Sequence, residues 1–211
     1  MKNGRTKKVS DSLLIIFIRN PLRGEVKKRL IPHLGEEEAF RVYQKLLLHT
    51  RKVAYQINTD KVVFYSDRID QHDIWPTGDY KKEVQKGNEI GSRMLSAFEY
   101  AFKHKYKKVV LLGGDIIEIR PDVLQRAFDL LERTTTVLGP AKDGGYYLIG
   151  MNRLIPDLFE GISWSTKSVF DQSVDIIVRN SLTWSATETL SDLDDYQDYI
   201  RHKEKIDKIT I

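Results

Sequence analysis

Five cationic side chains, Arg19, Arg23, Lys27, Lys28 and Arg29, fall within eleven residues directly after the apolar run Leu13-Leu-Ile-Ile-Phe-Ile18. That density of positive charge suits a polyanion, and arginine can grip a phosphate through two parallel N–H bonds. A solvated basic loop is the plainer alternative. The chain has neither a G-x-G-x-x-G fingerprint nor a Walker P-loop, so side chains, not a glycine-rich backbone cradle, would have to neutralise phosphates. Asp115 follows a second apolar run, Val109-Val-Leu-Leu112, and a pair of glycines. A carboxylate so placed can hold Mg²⁺ or Mn²⁺, which take oxygen ligands and bridge phosphates. It can equally bond its own backbone in a turn.

Asp192, Asp194 and Asp195 form a later acidic group. Asp192 is suited to cap a final helix over 192–202, and the group can also supply a second metal ligand. Only the fold can bring that ligand to Asp115. Asp143-Gly144-Gly145-Tyr146-Tyr147 reads as a hairpin turn whose glycines permit close backbone approach. Its aromatic residues can stack on a sugar or base. Trp164-Ser165-Thr166 stands where a helix is expected to begin, so Ser165 either caps it or helps to receive an anion. The histidines, at 33, 49, 72, 104 and 202, lack metal-ligand spacing.

These residues hang on alternating elements. The run 13–18 reads as a strand buried on both faces. A helix with a stripe of Ala39, Tyr43, Leu46, Leu47, Val53 and Ala54 is expected over 36–56. Strands follow at 61–65 and 109–112, with a helix at 90–104 between them and another opened by Pro121. Residues 68–80 read as an irregular loop. Short strands are expected at 135–138 and 146–149, a helix from Ser165 and a late strand at 183–184. Such alternation predicts an α/β domain with a mainly parallel mixed sheet flanked by helices on both faces. Ligands of such sheets sit outside the carboxyl ends of the strands. The polar segments that follow strands are therefore the candidate site.

Bulk properties agree with one globular domain over 12–211, preceded by a loose basic tail over 1–11. At 211 residues, 41% hydrophobic and 30% charged, the chain can bury a core and lacks the composition of a disordered protein. A net charge of +4 favours anionic ligands only mildly. With no cysteine, disulfides, thiolate metal sites and a cysteine nucleophile are excluded. A cytoplasmic location is expected, and the run 13–18 is too short to span a membrane.

Six blocks in order resemble a bacterial family of glycosyltransferase-like proteins of the arsenosugar-biosynthesis or radical-SAM-associated type. They are Phe17 to Leu30, Gln85 to Met94, Gly113-Gly-Asp115, Leu138 to Leu148, Leu158 to Thr166 and Asp192-Leu-Asp194. That family is similar to the GT-A nucleotide-diphospho-sugar transferases and, more distantly, to phospholactate and molybdenum-cofactor guanylyltransferases. The resemblance implies a single GT-A-like (Rossmann-like) domain and a transferase using a nucleotide-activated donor. It implies catalytic roles for Asp115, Lys27 and Arg29, with phosphate binding by Arg19, Gly24, Lys27, Arg29 and Arg93. Asp143, Gly144, Gly145, Trp164 and Ser165 fall to the acceptor side, and Asp115 with Asp194 to Mg²⁺ or Mn²⁺. The expected partners are a sugar nucleotide or NTP and a small-molecule acceptor, with no nucleic acid; a homodimer is left open. A nucleotidyltransferase using NTP and a phosphorylated acceptor, or a non-catalytic sugar-nucleotide-binding protein, are the alternatives. The chain departs from the family pattern at Lys28, where threonine is usual, and at Ile116-Ile117, where Cys-Pro is usual.

Overall fold

The computed structural model describes residues 10–211, so most of the expected tail lies outside the described residues. A seven-stranded sheet runs in the order β3-β2-β1-β4-β6-β5-β7. Its strands are β1 (Ser12–Ile18), β2 (Asp60–Tyr65), β3 (Lys81–Val84), β4 (Lys108–Gly113), β5 (Thr136–Pro140), β6 (Tyr146–Met151) and β7 (Trp184–Ala186). Every pairing is parallel except the two made by β6. The helices are α1 (Ile31–Tyr55), α2 (Ile90–Lys103), α3 (Pro121–Leu130), α4 (Val169–Arg179) and α5 (Tyr196–Asp207).

The two-residue period of β1 divides the core. Leu14, Ile16 and Ile18 pack with Tyr43 and Leu47 of α1 and Val123, Leu124 and Ala127 of α3. Leu13, Ile15 and Phe17 pack on the other face with Met94, Ala97 and Phe98 of α2 and Val169, Ile176 and Ile177 of α4. This is the layered α/β architecture expected from the alternating pattern. A third, smaller cluster joins Leu30, Val42, Leu46, Ile117, Leu193, Tyr199 and Ile206, and so ties α5 to α1. Ile117 points into that cluster and away from the cleft, whereas Ile116 lines the cleft wall.

Three local expectations need correction. The final helix begins at Tyr196, and its cap is Asp195, whose carboxylate accepts from Asp198 N at 3.0 Å; Asp192 is not a cap. The helix expected from Ser165 begins at Val169. Ser165 itself is left-handed at φ 62, and the Thr166 hydroxyl donates back to Ser163 O at 2.7 Å, which closes a separate turn first. The strand β3, Lys-Lys-Glu-Val, lies inside no expected element. It is a sheet edge, where charges reach solvent and the apolar alternation that marks a strand is lost. The break at Gly35, φ 78, explains why the regular part of α1 starts near the expected position 36.

In the order β2-β1-β4 the chain leaves β1 to one side and returns on the other, so a crevice opens between the carboxyl ends of β1 and β4. The Lys27 loop follows the first strand and Asp115 the second. Gly114 permits their approach: a Cβ there would lie 2.6 Å from Ile18 Cγ2 and 2.9 Å from Phe17 O. Its carbonyl is held by the buried Thr50 hydroxyl at 2.8 Å. Gly114→Ala is expected to destabilise the protein by about 1–3 kcal/mol through overpacking, read from urea denaturation at unchanged m-value.

Candidate active site

The β1–α1 loop is built around buried anchors. Val26 and Leu30 are buried, and Gly24 at φ 74 and Lys27 at φ 47 turn the chain through the left-handed region. For a lysine that backbone conformation costs about 1 kcal/mol or more and persists only where surrounding contacts impose it. Those contacts are three acceptors around one ammonium. Lys27 Nζ donates to Leu193 O at 2.6 Å and lies 2.8 Å from Asp115 Oδ2 and 3.5 Å from Asp194 Oδ1. The side chain is only 6% exposed. Burial alone would push Lys27 down, but Asp115, Asp194 and Asp192 outweigh it and hold the ammonium charged, with its pKa above the usual lysine value. One of its protons goes to Leu193 O, and the carboxylates of Asp115 and Asp194 supply opposite charge beside it.

Around this pair lies a cleft of about 720 Å³. Its walls include Arg19, Lys27, Arg29, Asp115, Asp143, Gly145, Trp164, Ser165 and Asp194, so the fold brings these predicted site residues together. Arg93 opens on an adjoining chamber of about 520 Å³, which shares Phe17, Arg19, Tyr43, Ile90 and Asp115 with the first. Gly24 and Gly144 act through backbone shape. A Cβ on Gly144 would lie 2.1 Å from Lys167 O, so the 143–145 turn can rest directly on the 165–167 loop. Likewise a Cβ on Gly91 would meet the Trp164 indole at 2.4 Å, and this close packing seats Trp164 against α2.

The second chamber is framed by side chains that sequence reading left aside. Gln85 donates its amide protons to Ile18 O and Phe64 O, both at 3.0 Å, and so joins the ends of β1 and β2. Buried Asn20 ties the loop after β1 to Arg68 O at 2.7 Å and to Asp67 N at 2.9 Å. The Tyr43 hydroxyl accepts from Arg19 N at 2.9 Å and donates to Arg19 O at 3.0 Å. That bracket leaves the Arg19 side chain exposed at the mouth.

Asp194 is an acidic residue expected to serve a metal, and its convergence with Asp143 and Asp192 is the other feature that sequence reading left aside. Segment 190–194 pairs with the end of β5 through Lys142 N to Leu190 O and Leu190 N to Pro140 O, both 3.0 Å. Glu118 accepts from Ser191 N at 2.7 Å. Asp143, Asp192 and Asp194 thereby offer carboxylate oxygens within 4.8 Å of one another. Asp115 stands outside that triad, paired with Lys27. Asp192 Oδ1 is buried with no hydrogen-bond partner among the described residues. Burial first, then Asp115, Asp143 and Asp194, raise the Asp192 carboxyl to about 7. An all-oxygen set with an unsatisfied, repelled carboxylate fits a hard divalent cation such as Mg²⁺ or Mn²⁺. The signal was present in Asp-Leu-Asp: Leu193 is fully buried, so its neighbours at 192 and 194 share the opposite side of an extended segment.

The Asp192 shift has a definite sign. Its folded value lies above that of an unfolded aspartate, so the native state binds more protons between about pH 4 and 7. In metal-free buffer its contribution is complete at about pH 4 and is lost as the pH rises through about 7, a fall on the order of 1–3 kcal/mol. Asp192→Asn should flatten this decline, measured as denaturation midpoints across that range.

A family model described as an uncharacterized protein conserved in bacteria (DUF2064) matches residues 48–166, a stretch that carries Arg93, Asp115, Asp143 and Trp164. Among solved structures, a protein from Desulfovibrio desulfuricans G20, provisionally named a nucleotide-diphospho-sugar transferase, superposes with a TM-score of 0.83 at 25% identity. That likeness covers 96% of this chain and 100% of the other. The inositol-1-phosphate CTP transferase from T. maritima gives 0.61 at 14% identity over 96% and 97% of the two chains. Rv0371C from Mycobacterium tuberculosis, in complex with manganese, gives 0.50 at 18% identity over 92% and 97%. No curated protein matches. The fold is thus one that sugar-nucleotide and nucleotidyl transferases use. With more than half of its length matched by that family model, the chain belongs to the DUF2064 family of bacterial proteins.

Proposed function

We propose that this protein is a metal-dependent transferase that takes a nucleotide-activated donor, a nucleotide-diphospho-sugar, and passes its glycosyl group to a small acceptor. One observation carries the reading. Cationic side chains and carboxylates together line a two-chambered cleft at the crossing point of the sheet. Arg19 and Arg93, beside the second chamber, are placed for the donor's phosphates, and Arg29 borders the first. Guanidinium groups there stabilise negative charge as it builds on the leaving nucleotide diphosphate, which accelerates the step more than uniform substrate binding does. Asp143, Asp192 and Asp194 would hold the divalent ion. Bound there, the ion supplies positive charge to the donor's diphosphate. Trp164, seated on α2 and edge-on to Tyr146, offers the first chamber an apolar wall for a sugar or acceptor. Asp143 is the carboxylate best placed beside that wall. The family resemblance points, more finely, to the arsenosugar-biosynthesis or radical-SAM-associated type of transferase.

The relationship to the D. desulfuricans protein supports the sugar-nucleotide reading. The T. maritima enzyme shares only the fold, and for nucleotidyl transfer the same arginines would serve the NTP. The two reactions differ in leaving group, so pyrophosphate release from an NTP would select the second. For the first, nucleotide diphosphates and their sugar conjugates should raise the melting temperature in the presence of Mn²⁺ and not with EDTA. Arg93→Ala and Arg19→Ala should each weaken that binding about tenfold, the loss expected for a charge-assisted phosphate contact. Melting curves unchanged across the uridine, guanosine, adenosine and cytidine series would refute the reading.

A further inference from the structure

Lys27 sits where a metal ion shared by Asp115 and Asp194 would be expected, yet it is a fixed part of the chain. Its ammonium is 2.8 Å from Asp115 and 3.5 Å from Asp194, and its backbone is held in a left-handed turn that aims it there. Beside it, Asp143, Asp192 and Asp194 converge without Asp115. Asp192 Oδ1 has no partner among the described residues, while Asp115 already has one. A carboxylate neutralised by a buried ammonium is a poor further ligand, because the cation repels a second positive charge at close range. An unpaired one is a good ligand. Asp194 lies between these extremes, 3.5 Å from Lys27 and 3.9 Å from the exposed Arg29, so Asp115 and Asp192 are the electrostatically unlike ends of the acidic wall.

We infer that Lys27 is a tethered cation that claims Asp115 and so directs a divalent ion to Asp143, Asp192 and Asp194. The inference rests on the metal-dependent reading above and refines it: Lys27 is a positioning residue, and Asp115 anchors the lysine and does not ligate the ion. Lys27 also holds Leu193 O at 2.6 Å, the residue between two of the three ligands, so one side chain sets both the electrostatics and the placement of the wall.

Mn²⁺ alone, titrated by calorimetry into the full chain, tests this without any turnover. Wild type should bind one ion, and Asp192→Asn should weaken it by at least about tenfold, the loss of one carboxylate ligand. Lys27→Met should bind about tenfold more tightly, because a repelling charge is gone and Asp115 is released. Lys27→Met combined with Asp115→Asn removes a neutral pair and should bind within about threefold of wild type. A tenfold or greater loss in that double variant would make Asp115 a ligand and overturn the inference, as would equal or weaker binding by Lys27→Met. Should the variants fail to fold, wild type decides. Lys27 should resist amine acetylation, read by peptide mass spectrometry, equally with and without Mn²⁺, whereas labelling induced by Mn²⁺ would mean that the ion displaces the lysine. Absence of Mn²⁺ binding in wild type would also overturn the assignment. Nucleotide binding that survived it would leave the donor-binding part of the transferase reading standing.

Discussion

The buried ammonium of Lys27 organises this protein's cleft. Its acceptors come from two distant parts of the chain, the end of β4 through Asp115 and the segment before α5 through Leu193 and Asp194, while the lysine itself stands on the loop after β1. Removing an ammonium from water costs several kcal/mol unless opposite charge and hydrogen bonds replace the hydration. Here they do, and the balance keeps the lysine charged. The demand runs both ways: without Lys27, the Asp115 and Asp194 carboxylates would repel each other and the half-buried Asp192. The pair is buried on the lysine side only, and Asp115 keeps part of its carboxylate open to the cleft.

The rest of the fold can be understood as support for that pair. Gly114 lets β1 and β4 approach, and Thr50 holds its carbonyl, so the turn bearing Asp115 has one position. The small cluster of Leu30, Leu46, Ile117, Leu193 and Ile206 places the base of the lysine loop and the centre of the acidic segment in one hydrophobic unit. Apolar packing of that kind is non-directional, and the polar contacts above it choose the register. On the far side, Glu118 fixes Ser191 N while buried His202 lies 3.8 Å from the same carboxylate. The acidic wall is thus braced from beneath by α5.

Cationic and acidic side chains share the lining of the cleft, and Arg29 lies 3.9 Å from Asp194. Arg19 and Arg29 are exposed and Arg93 is half-buried, whereas buried Lys27 is committed to the carboxylates. A phosphate-bearing ligand would meet both guanidinium groups and carboxylates within the same cleft. Two chambers that share Asp115, Arg19 and Tyr43 give such a ligand room for unlike groups at its two ends.

Much of this was legible before any coordinates. Unbroken apolar runs at 13–18 and 109–112 identify the central strands, because a strand buried on both faces tolerates no polar interruption. Their polar sequels, the basic loop and Asp115, mark the site, because parallel sheets collect ligands at strand ends. Edge strand β3 escaped notice, since its charges face solvent and its pairing is with β2, not with anything local. The cap within segment 192–195 is ambiguous in the sequence for a related reason. Any of its aspartates could cap a helix, and local chemistry does not tell which one does. Tertiary packing decided it: Leu193 is drawn into the core, which leaves Asp195 as the cap and turns Asp192 and Asp194 toward the cleft. Lys27 illustrates the same boundary. Its charge is a property of the residue, but its choice of Asp115 over solvent or phosphate depends on groups 88 and 167 positions away, for Asp115 and Asp194 respectively. Contacts of that separation are made by the fold as a whole and leave no periodicity in the chain.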